Sequence, residues 1–218
     1  MLRGIRLVIY DLDGTLIDST EAIVETFDTI LRDEELPVPA PGVVESLIGE
    51  PMQNILKRLL PPDRQDQVQH FWDAYIAVYA RVSPLKTRIF PGVIETLTDF
   101  QSRGLKQTVA TQKKGAVATR VLRELDLLKH MDLVLGIDDV AHPKPASDII
   151  QLTLKRMGVK PEEAVFVDDT TVGLEAGKNA GTHIVGVTTG PHDREKLGTL
   201  KPDYIIGGMA ELRRIISP

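Results

Sequence analysis

Five residues, Asp11-Leu12-Asp13-Gly14-Thr15, constrain this chain more than any other stretch. They follow Leu7-Val8-Ile9-Tyr10, an apolar run without alternation and rich in β-branched residues. Such a run reads as a parallel strand buried on both faces. The aspartates therefore fall where a strand ends and the chain turns, the place where open α/β sheets bind ligands. Carboxylates at i and i+2 of an extended segment point the same way. A pair so placed suits a hard cation, and one member is able to attack phosphorus. An Asp-Gly turn after a strand is also a common structural device, so the rest of the chain decides between the readings.

The 218 residues suffice for one large domain or a domain carrying a modest insertion. A net charge of −5 gives no reason to expect a nucleic-acid partner. The charge of an anionic substrate must then be met by a local positive site. The absence of cysteine excludes disulfides, thiolate catalysis and cysteine-based zinc sites. The five histidines are scattered without zinc-ligand spacing, and His142 reads as a surface-loop residue. No apolar stretch approaches membrane-spanning length, and the N-terminus shows no signal-peptide pattern. A cytoplasmic protein with no membrane partner is the expectation.

Strand-like and helix-like segments alternate through the second half. Strands are expected at 105–111, 132–136, 164–168, 183–187 and 204–206. Helices are expected at about 91–103, 114–126, 146–157, 172–179 and 209–216. That rhythm indicates βαβ crossovers and a parallel sheet. Residues 16–87 break it, with helical periodicity and almost no strand signal. Ile23, Phe27, Ile30 and Leu31 share a face, and Asp18 with Glu21 resembles a capping box. Phe71, Tyr75 and Tyr79 recur every four residues beside Trp72, as the core stripe of a helical unit or, alternatively, a stacking site for a ligand. The expected organisation is an α/β core of residues 1–15 and 88–218, with 16–87 inserted as a helical block that closes over the site.

Three further points fall at the ends of expected strands. Thr111, followed by Gln112-Lys113-Lys114, offers a hydroxyl and the backbone N–H groups opening the next helix as a phosphate cradle. A helix cap is the commoner role for such a threonine. Lys144, between Pro143 and Pro145, has restricted backbone freedom, though most lysines are solvated. Asp168-Asp169 closes the strand AVFVD, and two more carboxylates beside Asp11 and Asp13 are costly unless a cation binds.

In order and setting these points resemble the motifs of the haloacid dehalogenase superfamily, a large group of mostly magnesium-dependent phosphatases. The resemblance spans nearly the whole length. DLDGT looks like the first motif, Thr111 the second, Lys144 the third and Asp168-Asp169 the fourth. Val167 to Gly181 resembles the acidic-pair fourth motif of sugar-phosphate phosphatases and β-phosphoglucomutase relatives. Phe90-Pro91-Gly92-Val93 and the tail Pro202 to Ile206 resemble the phosphoglycolate phosphatase-like subgroup. The resemblance implies a Rossmann-like parallel-sheet core with a small inserted helical cap. It implies Asp11 as nucleophile through an aspartyl-phosphate, and Asp13 as general acid and base. Thr111 and Lys144 would hold phosphoryl oxygens, with Gly14, Thr15 and Gln112 near the substrate. Mg²⁺ would be held by Asp11, the Asp13 backbone carbonyl and Asp169, with Asp168 ranked below Asp169.

The second-motif threonine is often followed by asparagine, and Gln112 replaces it here. Asp13 argues against the dehalogenase branch, and Lys57 looks like an ordinary helix-face lysine rather than a Schiff-base lysine. The leading reading is hydrolysis of a small phosphorylated metabolite, phosphoglycolate-like or a short sugar phosphate. A β-phosphoglucomutase-type phosphotransferase, an inorganic pyrophosphatase and a non-catalytic binding protein are the alternatives. Specificity is expected around Ile48 to Gln53 and at Arg58, and a monomer or weak homodimer is the default.

Overall fold

Leu7-Val8-Ile9-Tyr10 forms β1 (Leu7–Tyr10), and every one of its side chains is fully buried. The computed structural model describes residues 1–217. Seven further strands follow: β2 (Ile17–Asp18), β3 (Arg88–Ile89), β4 (Lys106–Ala110), β5 (Leu133–Leu135), β6 (Ala164–Asp168), β7 (His183–Val187) and β8 (Tyr204–Ile206). Six of them make one parallel sheet in the order β5-β4-β1-β6-β7-β8. The chain thus winds outward from β1 in both directions. The crevice at the carboxyl end of β1 is the switch point where such sheets bind ligands.

The period-2 alternation of β1 explains why both of its faces are apolar. Val8 and Tyr10 pack with Val93, Leu97 and Phe100 of α4 (Val93–Ser102) and with Met209 and Leu212 of α9 (Met209–Ile215). Leu7 and Ile9 pack with Ile149, Ile150 and Leu154 of α6 (Asp148–Met157) and Ala176 of α7 (Thr171–Asn179). Each fully buried aliphatic side chain contributes about 1.5–3 kcal/mol, so the centre of the sheet is its most stable part. Tyr10 donates to Gln107 Oε1 at 2.9 Å, and Gln107 donates to the Leu97 carbonyl at 2.9 Å. That chain satisfies the polar atoms buried beneath the strand.

The remaining helices are α1 (Thr20–Asp33), α2 (Met52–Leu59), α3 (Val68–Lys86), α5 (Gly115–Glu124) and α8 (Arg194–Gly198). α1, α2 and α3 pack together through Ile23, Phe27, Ile30, Leu56, Phe71, Tyr75 and Tyr79. The aromatic stripe is therefore core, with Tyr75 and Tyr79 stacked at 5.4 Å. The expected capping box at α1 does not form. Ser19 is the N-cap, and its hydroxyl goes to Asp13 instead of the helix. Competition from a carboxylate outside the helix explains the difference. Ile17–Asp18 also pairs antiparallel with Arg88–Ile89, a ribbon in a stretch whose sequence carries no strand signal.

Candidate active site

Three parallel strands end side by side and deliver the site. Asp11 follows β1, Thr111 follows β4, and Asp168 closes β6 with Asp169 next. Lys144 enters from the loop before α6, joined to Pro145 by a cis peptide. Its ammonium donates to Asp11 Oδ1 at 2.6 Å and to Asp168 Oδ2 at 2.9 Å, and it lies 4.7 Å from the Phe166 ring centroid. Lys144 is only 4% exposed and Asp11 only 8%. Burial pushes the Asp11 carboxyl up to about 7; Lys144 pulls it down, and Asp168 and Asp13 push it up again. Burial draws the Lys144 ammonium down, but Asp11 and Asp168 outweigh it and hold the group above the usual lysine range.

The two members of the acidic pair have different surroundings. Asp168 is fully engaged: besides Lys144, its Oδ1 accepts the backbone N–H and the hydroxyl of Thr170 at 2.8 and 2.7 Å. Asp169 Oδ1 accepts from the Thr15 hydroxyl at 2.7 Å, whereas its buried Oδ2 has no partner among the described residues. Burial, together with the charges of Asp168 and Asp11, raises the Asp169 carboxyl well above the usual range. Backbone closes tightly on it: a Cβ at Gly14 would stand 2.3 Å from Asp169 Oδ2, and one at Gly190 1.8 Å. At φ +83° the Gly14 backbone already disfavours any side chain.

Several expectations need correction. Thr15 and Gly14 do not line the cleft. Thr15 is fully buried and supports Asp169, and the Gly14 carbonyl accepts from Thr189 at 2.6 Å. At the start of α5 the Gly115 N–H donates to Asp138 at 2.7 Å and the Lys113 N–H to the Thr111 hydroxyl at 3.2 Å, so these two N–H groups are engaged within the protein. Among the described residues no three carboxylates or imidazoles form a ready-made metal group. Two lysines stand among the aspartates: Lys144 bridges Asp11 and Asp168, and Lys113 holds Asp13.

The second of those lysines, Lys113, is the functional residue that the sequence reading passed over. Its ammonium sits 2.7 Å from both oxygens of Asp13, whose Oδ1 also receives the Ser19 hydroxyl, and 4.7 Å from the Tyr79 ring centroid. Burial lowers the Lys113 ammonium, but Asp13, with Tyr79 and Tyr75, lifts it above the ordinary range. Lys113→Met is expected to lower stability by about 3 kcal/mol, because Asp13 keeps its enclosure and loses its counter-ion. Denaturant titration reads this, and an unchanged midpoint would show that the ion pair holds nothing.

Above the site lies a cleft of about 790 Å³, counting its solvent-filled mouth, between the sheet and the α1–α3 block. Ile48, Gly49, Glu50 and Met52 line it as expected. Gln53 and Arg58 do not, although Arg58 reaches Glu50 at 3.0 Å. The Gln112 amide donates to the Gly49 carbonyl at 3.4 Å, tying the core to the block above it. Lys57 and His142 are both exposed and outside the cleft. Among the described residues no helix is long and apolar enough to cross a membrane.

Residues 8–187 match the model of the haloacid dehalogenase-like hydrolases. The chain is 36% identical to "Probable phosphatase IndB" of Dickeya dadantii, over 94% of this chain and 91% of that protein. It is 31% identical to the "Phosphoglycolate phosphatase" of Escherichia coli K12, over 96% and 92% of the two chains. In fold it is similar to a haloacid dehalogenase-like family protein from Streptococcus pneumoniae, with a TM-score of 0.86 at 23% identity, over 97% and 98% of the chains. The match runs from within β1 to the last residue of β7, across every strand that delivers a residue to the crevice. The chain belongs to the haloacid dehalogenase-like hydrolase family, and it is an enzyme.

Proposed function

We propose that this enzyme is a magnesium-dependent phosphatase that hydrolyses a small phosphomonoester through an aspartyl-phosphate on Asp11. The observation that carries the reading is the Lys144 ammonium held between Asp11 and Asp168 at the floor of the cleft. Lys144 and the Thr111 hydroxyl bind phosphoryl oxygens and bring the phosphorus onto Asp11, whose repulsion for the substrate the ammonium offsets. Asp11 attacks phosphorus, and the bond to the leaving oxygen breaks. Asp13 gives that oxygen a proton and then takes one from the water that hydrolyses the acyl phosphate. For the first of these steps its carboxylate must part from Lys113, whose ammonium lies 2.7 Å from both of its oxygens. The α1–α3 block acts as the cap that keeps bulk water out. The names of the relatives, a probable phosphatase and a phosphoglycolate phosphatase, support a small phosphorylated metabolite as substrate. A cytoplasmic location accords with such a substrate.

The donor set fits a hard divalent cation: Asp169 Oδ2 is a buried acceptor without a partner, flanked by the carboxylates of Asp168 and Asp11. Asp11, Asp169 and the Asp13 carbonyl would hold Mg²⁺, which supplies charge stabilisation to the phosphoryl oxygens. The raised carboxyls give this a readout apart from turnover. Between the ordinary carboxylate range and about 7, native Asp11 binds more protons than the unfolded chain does. Stability of the metal-free protein therefore falls as pH rises through that window. Magnesium is expected to raise Tm by about 3–6 °C at pH 8, given ligand at about tenfold its Kd. The rise shrinks at pH 5.5 and disappears in Asp169→Asn; an equal rise in that variant overturns the assignment.

The activity is tested by phosphate release from a panel of phosphomonoesters and pyrophosphate, with magnesium and with excess chelator. Release confined to magnesium supports the phosphatase. Turnover only of a hexose phosphate primed by a bisphosphate would replace it with a phosphotransferase.

A further inference from the structure

The cleft joins two chemically opposite surfaces. Its floor is polar, with Asp11, Thr111 and Lys144. Its roof is hydrocarbon: Ile48, Met52, Ile55, Trp72 and Ile76 face the same space, and Val117 of α5 adds a core-side wall. Ile76 is half-buried yet joins none of the apolar clusters of the protein, so the cleft is where its surface is spent. Several of the polar side chains in reach already have partners. Glu50 pairs with Arg58 at 3.0 Å, the Gln112 amide is on the Gly49 carbonyl, and Lys113 is on Asp13. The Lys114 ammonium lies 4.5 Å from the Trp72 ring centroid, where the ring quadrupole attracts it. Tyr75 is packed on Phe27 at 5.0 Å and on Tyr79.

We propose that the alcohol released by this enzyme is apolar, its hydrocarbon body lying against Trp72 and Ile76 while its phosphoryl group sits on Asp11, Thr111 and Lys144. The inference rests on the phosphatase reading and narrows it. The roof and the floor bound one continuous cleft, so a group attached to the phosphorus extends toward the roof. A sugar brings several hydroxyls that need partners once water leaves, and this wall has few left to give. A glycolate is too small to cover the roof and leaves most of it wet. A hydrocarbon body of five to seven carbons suffers neither loss and covers the apolar surface. Relatives at 36 and 31% identity leave room for such a difference, since specificity lives in the site and not the fold.

Trp72 is the only tryptophan in the chain, so its fluorescence reports occupancy of the roof without turnover. The experiment compares cyclohexylmethyl phosphate with glucose 6-phosphate and phosphoglycolate. The first two share a six-membered ring and a primary ester, so the comparison isolates the hydroxyls. Titrated into Asp11→Asn protein with magnesium, cyclohexylmethyl phosphate is expected to bind at least tenfold more tightly than either competitor. Ile76→Asn, made in the same background, narrows that ratio to below threefold. In the active enzyme the same order is expected in kcat/KM. Equal or tighter binding of glucose 6-phosphate or phosphoglycolate overturns the proposal and leaves the phosphatase intact. Failure of magnesium-dependent phosphate release from every ester overturns the phosphatase reading, while the binding order still decides the chemistry of the roof.

Discussion

Asp11→Asn lowers phosphate release by about 10⁴-fold or more while leaving the fold in place. The amide keeps the shape of the carboxylate and loses the nucleophile. Lys144 retains Asp168 at 2.9 Å, so the buried ammonium keeps a counter-ion. Removing a carboxylate whose ionisation burial opposes also relieves a cost that is present above about pH 7. Tm is therefore expected to hold or rise by a few degrees at pH 8, and to match wild type near pH 4. Loss of activity with unchanged or increased stability separates a chemical role from a structural one. Activity within tenfold of wild type would place the nucleophile elsewhere.

Lys144→Ala is expected to fail in both respects. Asp11 and Asp168 then face one another in a site with almost no water and no cation between them. Leaving buried charge without its partner costs about 3–5 kcal/mol. The cost shows at pH 8 and lessens as pH falls and Asp11 takes a proton, because losing Lys144 removes what held that carboxyl down. Lysine itself stays charged through this range, its ammonium being raised, so the pH dependence belongs to the aspartate. Turnover falls by about 10³-fold with the loss of a phosphoryl-oxygen donor. Arginine is no substitute, since a planar fork does not fit where one nitrogen meets two carboxylates from neighbouring strands. Measuring Tm and phosphate release at pH 6 and pH 8 tests both effects. A Tm deficit equal at the two pH values would remove Asp11 from the explanation.

The strands were legible because each is a short apolar run between helical periodicities, and β6, β7 and β8 fall on the expected residues. The helices α4, α5 and α6 begin one or two residues inside their expected starts. What escaped depends on partners far away in sequence. Two-residue strands carry no period, so Ile17–Asp18 shows itself only by pairing with Arg88–Ile89. Lys113 reads as a solvated residue at a helix start, and only Tyr75 and Tyr79 from another part of the chain enclose it. Thr15 sits beside the aspartate pair in sequence, yet the arrival of β6 turns it toward Asp169. The short helix α8 did leave a signal, Asp193 as N-cap accepting from the Lys196 N–H at 2.8 Å. Chemistry carried by residues at strand ends was thus readable, and the residues that set their orientation were not.

The ribbon of β2 and β3 has a consequence for how such a protein is able to change over time. The chain enters the α1–α3 block after Asp18 and leaves it before Arg88, and those residues are paired neighbours. An insert whose two ends already touch is exchangeable: a different helical block, spliced at the same adjacent points, asks no strand of the sheet to move. Asp11, Lys144 and Asp168 would keep their mutual distances while the surface above them was replaced wholesale. Selectivity and reactivity are then separately inheritable, joined by two base residues on each side.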